Sequence, residues 1–557
     1  MPRLRPAPLQ AADPGPRAYG WLALDGLAGT LQATTFTPWP APAPPWAPSL
    51  LQILTLTWLA ARTLSASTPA RAGVRGFAFG LGTFGVGIGW IFISLHVYAE
   101  LSVFVAGLAT FALAAGLSSA PALASALTAA WAPCALGRSA NSSAASRARF
   151  GDAACFAASW TVFELLRGYA FTGFPWLAVG YAHVDSPLAG WAPALGVYGV
   201  SAAAALIAGC LAAALAAAQT PRRQKVGLLA TTLLILITGA LLRQHAWVRP
   251  QGEPLTVRLL QGNVTQDLKF DPQRALNAIE RYGEWTAAGS ATLTVMPETA
   301  WVVSWLDGPW EERERLLTVA RERKSWIALG IPMPTADPWR VAILSLEDGI
   351  TNSVALIGPR SAASSQFLGR YDKRHLVPFG EFIPLGFRWF VDLMVMPMGD
   401  FSRGTPDPDP LPVADQRIAF NVCYEDLFGE ELLGRVEKGA SIFVNVSNIA
   451  WFGGSHALPQ HLQIARMRTL ELGRPMLRAT NTGVTAAIDH RAHVIAQLPI
   501  LTEGALDAVV QGTEGTTLYT RIGNLGIFFG CLSTLAACAI RRRQTRSTRR
   551  LPASPPL

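Results

Sequence analysis

Apolar residues fill long runs through the first 243 positions, then give way to short runs that alternate with polar stretches until about residue 520. A helix needs about 20 mostly apolar residues to cross a bilayer. By that measure seven candidate spans precede the alternating region, near 20–37, 46–62, 76–97, 100–130, 152–170, 188–218 and 225–243, and an eighth runs from 522 to 540. The alternating region reads differently. Strand-like runs at 255–260, 291–296, 326–330, 352–357, 417–422, 441–446 and 483–488 are interleaved with helical stretches at 272–288, 310–323 and 460–473. Such alternation predicts an α/β domain. The expected organisation is a polytopic α-helical membrane domain over 1–243, a water-soluble α/β domain over 244–520, a last span over 521–540 and a basic tail over 541–557.

Composition agrees with that division. Half of the 557 residues are apolar and only 15% are charged, a balance unusual for a soluble protein. The net charge of +9 suggests nucleic-acid binding until its location is considered. Much of it lies in Arg clusters beside apolar runs and in the tail from Arg541 to Arg550. Nucleic acid is therefore not an expected partner, and the clusters serve topology instead. Arg3 and Arg5 precede the first span, Arg62, Arg71 and Arg75 follow the second, Arg138, Arg147 and Arg149 the fourth, Arg222, Arg223 and Lys225 the sixth. The intervening loops at 38–45 and 96–100 carry no Lys or Arg. Basic loops face the cytoplasm, so both termini are expected there and the soluble domain on the opposite, periplasmic side of a bacterial inner membrane. Prolines break the basic N-terminal stretch and no short apolar core with a cleavage site follows, so no cleavable signal peptide is expected.

Charge inside a span is costly and needs a partner or a cavity. Glu164 and Arg167, three residues apart in the fifth span, read either as a structural pair near the outer interface or as a contact for a lipid headgroup beside Phe174-Pro-Trp176.

Five of the six cysteines lie in or beside apolar runs, where a thiol acts as a small apolar side chain. Cys423 does not: it comes after the strand-like run 417–422 and precedes Tyr424-Glu425-Asp426, which reads as the first turn of a helix. A helix N-terminus there would favour a thiolate. Two further polar features also come after strand-like runs, Pro297-Glu298 and Ser447-Asn448, where α/β domains gather their chemistry. Lys373 and Glu381 lie in a loop containing Gly and Pro. His375, His456 and His461 have no carboxylate cluster or zincin spacing beside them, so no metal and no cofactor are expected.

In the order Glu298, Lys373, Cys423, these residues resemble the Glu-Lys-Cys triad of the nitrilase superfamily. The words around them resemble its membrane branch, the apolipoprotein N-acyltransferases. They are Met296-Pro-Glu-Thr-Ala300, the stretch from Lys373 to Pro384, Cys423-Tyr-Glu-Asp426, Ala450-Trp-Phe-Gly453, the stretch from Gln460 to Arg468 with Glu471 to Pro475, and Arg478-Ala-Thr-Asn-Thr-Gly483. Gly173-Phe-Pro-Trp176 and the eight-span layout fit as well. The resemblance implies a nitrilase-like αββα sandwich inserted between the seventh and eighth spans. It also implies an acyl chain taken from a phospholipid onto Cys423, then passed to the α-amino group of a diacylglyceryl cysteine on an apolipoprotein. It makes Glu381, Tyr424 and Glu425 supporting residues that orient Lys373 and shape the pocket, and sets Phe270, Trp451 and Phe452 against substrate. Two residues depart from the family pattern: Phe270 comes after Lys269 where Lys-Trp is usual, and Ile449 stands where an aspartate is usual.

The chemistry of the side chains sets the roles. Cys423 is the nucleophile and Glu298 the base, since a charged lysine cannot accept the proton. Lys373 lowers the thiol pKa and stabilises the tetrahedral oxyanion beside a backbone N–H after Cys423. Glu381 and Glu425 would add negative charge that opposes the thiolate. Two other readings stay open from the residues: a membrane-anchored amidase, with water as second acceptor, and a transporter or structural membrane protein with a degenerate outer domain. Nothing in the sequence calls for more than a monomer.

Overall fold

A computed structural model of the chain describes residues 16–132, 144–215, 222–264, 272–335, 349–361, 367–393 and 401–547. Phe270, Cys134, Arg138 and the end of the basic tail lie outside the described residues, as do Arg3 and Arg5. A helix occupies each stretch read as a span, at Pro16–Ala33, Ala47–Leu64, Pro69–Gly87, Val103–Trp131, Ala144–Tyr169, Ala192–Leu215, Arg222–Gln244 and Leu525–Ser547. Among the described residues, four helical segments are long and apolar enough to cross a membrane, at Val103–Trp131, Pro187–Leu215, Arg222–Gln244 and Leu525–Gln544. A fifth results if Pro69–Gly87 and Trp90–Tyr98, bent by 48°, are one span. The first two helices carry polar residues that satisfy one another. Arg62 pairs with Asp25 at 2.9 Å, the Thr55 hydroxyl donates to Gln32 and the Gln52 amide to Thr35.

Glu164 and Arg167 are not the ion pair read from their spacing. Glu164 Oε1 accepts from the Val179 backbone N–H at 2.8 Å, and Arg167 donates to the carbonyls of Phe174 and Trp176. Each charge therefore holds the irregular backbone between the two helices, where unpaired peptide groups would be costly in an apolar setting.

The α/β region is two six-stranded sheets face to face. One runs in the order Gly504–Val510, Leu255–Gln261, Leu293–Val295, Trp326–Pro334, Ile350–Ile357, Gly369–Asp372. The other runs Val494–Gln497, Ala486–Ile488, Met476–Thr480, Ile442–Ser447, Gln416–Val422, Leu411–Val413. Val257, Leu259, Val295 and Leu356 of the first meet Ile418, Phe420, Val444 and Leu477 of the second in one buried core. Helices Pro272–Ala288 and Trp310–Glu322 cover the first sheet, bringing Ile279, Leu316 and Leu317 onto Ile327 and Leu329. Helix Ala457–Leu472 covers the second, where Leu462 and Ala465 reach Phe443 and Met476. That gives the expected αββα layering. A short ribbon, Val248–Pro250 against Thr513–Gly515, ties the place where the chain enters this domain to the place where it leaves.

Helix Ala457–Leu472 is buried at every position but Pro459, although its sequence is far from apolar. Its second face lies on the helical domain, and its polar residues find partners there. Gln460 accepts from Trp176 Nε1 at 2.7 Å and donates to the Gly87 carbonyl. Arg466 grips Asp185 through two nitrogens at 2.5 and 2.9 Å. Glu471, paired with Arg468 at 2.6 Å, accepts from the Val197 N–H at 2.5 Å. That N–H is freed because Gly196, at φ 70°, kinks the helix Ala192–Leu215 against the Tyr519 ring. The sandwich is thus bolted to the helices by buried, fully directional contacts.

Candidate active site

The first sheet delivers two functional groups from strand ends, and the second delivers one, to the same place. Cys423 comes directly after Gln416–Val422, Lys373 directly after Gly369–Asp372, and Glu298 lies three residues beyond Leu293–Val295. Two non-glycine residues at these ends, Cys423 at φ 53° and Thr299 at φ 49°, adopt the left-handed backbone conformation. Such strain persists only where surrounding contacts enforce it, and it clusters at functional sites.

The Lys373 ammonium, 1% exposed, lies 2.9 Å from Glu381 Oε1 and 3.5 Å from Glu298 Oε1. Asn352 Nδ2 donates to the same two oxygens, at 2.7 Å to Glu298 and 2.8 Å to Glu381. Glu298 Oε2 accepts from the Asn448 backbone N–H at 2.6 Å, and Glu381 Oε2 from the Val377 N–H at 2.9 Å. Burial alone would lower the Lys373 pKa, but Glu381 and Glu298 more than offset it and hold the group charged.

Glu425 does not bear on the thiol as its charge suggested. Its Oε2 accepts from the Val422 N–H and the Tyr371 hydroxyl, both at 2.7 Å, and its Oε1 from the N–H groups of Arg374 and His375. One carboxylate thus ties the backbone before Cys423 to the backbone after Lys373. Arg435, which also donates to the Tyr371 hydroxyl at 2.9 Å, completes this support.

The helix-dipole argument for Cys423 fails. The residue opens a 3-10 turn, Cys423–Leu427, that is too short for a macrodipole. The thiol is pushed up to about 12, first by burial and then by Glu298, while Lys373 and the Ser447 side chain draw it back. At rest it is a neutral thiol that needs a base. Alkylation by iodoacetamide, which reports the thiolate, is expected to rise about tenfold per pH unit from pH 7 to 9 without levelling. Peptide-resolved mass spectrometry at Cys423 reads this, and a plateau within that range would show a resting thiolate.

Of the other expected residues, Tyr424 donates its hydroxyl to the Gly173 carbonyl at 2.9 Å, joining the turn that opens with Cys423 to the helical domain. Phe452 sits 4.3 Å from the Trp90 ring and Trp451 5.9 Å from Tyr98, so both meet the bent helix pair. Ile449, the departure from the family pattern, is buried beside Gly483. His375 stacks on Phe428 at 3.6 Å and contacts Glu431, while His461 joins Asp426 at 2.8 Å; both are held by protein partners. Asn352, Tyr371 and Arg435 carry no signal in the sequence that marks them for the site, while Asp426 and Arg478 fall inside family-like words that give them no role. Each is an ordinary strand, turn or helix residue until the two sheets bring it next to a charged neighbour.

Two family models cover this arrangement: the apolipoprotein N-acyltransferase N-terminal domain matches residues 28–210, and carbon-nitrogen hydrolase matches 256–517. An apolipoprotein N-acyltransferase of Ralstonia nicotianae is 46% identical over 499 residues, 88% of this chain and 90% of that one. The chain belongs to the apolipoprotein N-acyltransferase family. A member from Bordetella bronchiseptica is 41% identical over 97% of this chain and the whole of that one, and one from Nitrosomonas europaea 40% identical over 88% and 94%. Among solved structures, Nit3 of Saccharomyces cerevisiae, a member of branch 10 of the nitrilase superfamily, aligns with 47% of this chain and 91% of its own, at 18% identity and a TM-score of 0.33. As an apolipoprotein N-acyltransferase family member, this chain is an acyltransferase of the nitrilase superfamily.

Proposed function

We propose that this protein moves a fatty acyl chain from a phospholipid to the N-terminal α-amino group of a diacylglyceryl cysteine on an apolipoprotein, through a thioester on Cys423. The observation that carries the reading is the meeting of Glu298, Lys373 and Cys423 at the ends of strands from both sheets, on a domain bolted to apolar helices. Glu298 takes the thiol proton as sulfur attacks the ester carbonyl. Lys373 and a backbone N–H after Cys423 balance the oxyanion. As the tetrahedral adduct collapses, the ester C–O bond breaks and the lysophospholipid oxygen takes the proton from Glu298. The amine then attacks the thioester, Glu298 accepts its proton, and as the C–S bond breaks Glu298 passes that proton to the sulfur to restore the thiol.

A free α-amino group has a pKa of about 7.7–8.0, so a share of it is already neutral near pH 7.5. Glu381, Tyr424 and Glu425 support the triad, and Phe270, Trp451 and Phe452 bind substrate. The eight helices span the bacterial inner membrane with both termini cytoplasmic and the sandwich periplasmic, so both lipid-anchored substrates arrive laterally. The protein works as a monomer without a cofactor or nucleic acid.

Intact-protein mass spectrometry tests this after incubation with phospholipid. The wild type is expected to gain the mass of one fatty acyl chain, removable by hydroxylamine, and Cys423→Ala none. A diacylated lipopeptide should then discharge the acyl group onto its amine. Discharge to water in its presence would favour the amidase reading, and absence of any adduct would overturn both.

A further inference from the structure

A second feature lies away from the triad, where helix Arg222–Gln244 ends and the chain enters the sandwich. There a cavity of about 260 Å³ opens between the end of that helix, the start of Ala192–Leu215, the end of Ala457–Leu472 and the turn around residue 491. Water takes up about 30 Å³ per molecule in the liquid, so the space suits a headgroup rather than a single ion. Its lining carries Arg243 and Arg491 with His245, His490 and His493, and the carboxylate of Asp489 lies just outside it, 3.0 Å from His493 Nδ1.

Arg243 spends only Nη1 on the protein, at 2.9 Å from the Val184 carbonyl and 3.0 Å from that of Ser186. The Arg491 guanidinium has no ion-pair partner among the described residues. Trp247, edge-on to His245 at 4.8 Å, stands at the mouth with its N–H on the Leu242 carbonyl. An aromatic ring with a polar edge is what favours a membrane–water boundary.

The helix below continues the feature. Leu229, Leu233, Ile237 and Leu241 recur every four residues on one face, and each is about half exposed or more. They make an apolar stripe about 18 Å long at 1.5 Å per residue that winds gradually around the helix, comparable in length to a fatty acyl chain, and it ends at the cavity. Leu470, which helps line the cavity, is nine residues along its helix from His461 beside the nucleophile's turn. That separates the cavity from the triad by about 14 Å along that axis.

We infer that this cavity and stripe bind one anionic phospholipid, its tail along Leu229–Leu241 and its phosphate between Arg243 and Arg491, as a resident lipid distinct from the acyl donor. Basic pockets beside membrane helices select anionic headgroups through the same charge attraction. A zwitterionic headgroup would bring an ammonium beside two guanidinium groups, where the nearby carboxylate, Asp489, is already engaged by His493 and by the backbone N–H groups of Arg491 and His493.

The test uses the full chain purified in mild detergent with equal phosphatidylglycerol and phosphatidylethanolamine, then analysed by native mass spectrometry. One phosphatidylglycerol per chain should be retained, and Arg491→Glu should cut that retention about tenfold or more while acyl-enzyme formation at Cys423 continues. Arg491→Gln, expected to show a smaller loss, serves if the reversed charge impairs folding. Equal retention of the two lipids, or retention unaffected by both variants, would overturn the inference. Displacement of the lipid by millimolar inorganic phosphate alone would overturn the lipid assignment in favour of a free-phosphate site.

Discussion

Glu298→Gln is expected to slow acylation of Cys423 by about 10³-fold, within the range general bases contribute, while leaving the fold intact. Glutamine keeps an oxygen for the Asn448 N–H that Glu298 Oε2 now accepts at 2.6 Å, so the side chain stays seated. Its other end would present an N–H₂ where Lys373 and Asn352 both donate, and it cannot receive a proton. The variant must then rely on the small thiolate fraction of a group pushed up to about 12. Loss of the Glu298 charge draws that pKa down somewhat, but burial, the larger cause, remains. The residual rate should therefore climb about tenfold per pH unit between pH 7 and 9, a slope absent from the wild type, whose base supplies the step. Single-turnover acylation tracked by intact mass across that range reads both effects. An unchanged rate, or a loss without the pH slope, would remove Glu298 from the role of base.

The division into apolar helices and an α/β sandwich is legible because burial in lipid and burial in a sheet leave different periods in the chain. Four features are not. Met476–Thr480 carries Arg478 at its centre and is missing from the strand-like runs, yet it is an interior strand whose charge is taken up by Asp426. The strand Gly369–Asp372, which positions Lys373, is short and half polar, so the lysine reads as a residue in a loop. Helix Ala457–Leu472 has polar residues on every side, which suggests solvent, whereas both faces are covered and Gln460, Arg466 and Glu471 find partners across the junction. The spacing of Glu164 and Arg167 suggests a pair, but nearby backbone groups outcompete it. At the candidate site the three reactive residue types are visible in order along the chain. Asn352, which donates to both Glu298 and Glu381, is not, because only the fold sets its amide between two carboxylates from distant segments.

Arg478→Met is expected to destabilise the sandwich by about 3–5 kcal/mol, the usual cost of breaking a buried charge pair from one side. Asp426, three residues beyond Cys423, is wholly buried between Arg478 at 2.6 Å and His461 at 2.8 Å. Arg478 also lies 3.0 Å from His461 Nδ1. Burial raises the Asp426 pKa, but His461 and Arg478 more than reverse it, and the group is held below its ordinary value. His461 is held below its own ordinary value, first by burial and in part by the charge of Arg478. Without the guanidinium that last influence disappears, and a protonated His461 becomes the only cation left for Asp426. The His461 pKa should rise, so proton binding to the folded variant stabilises it as pH falls through the new folded value. The deficit relative to wild type is then largest at pH 8 and smaller near pH 5.5, which chemical denaturation at the two values measures. The same change should slow acylation, since the His461 ring stacks on Trp176 of the helical domain at 5.6 Å and Asp426 fixes the turn that carries the thiol. A deficit independent of pH would mean that His461 does not take over the charge. No deficit at all would mean that the Asp426 carboxylate is not stabilised through Arg478.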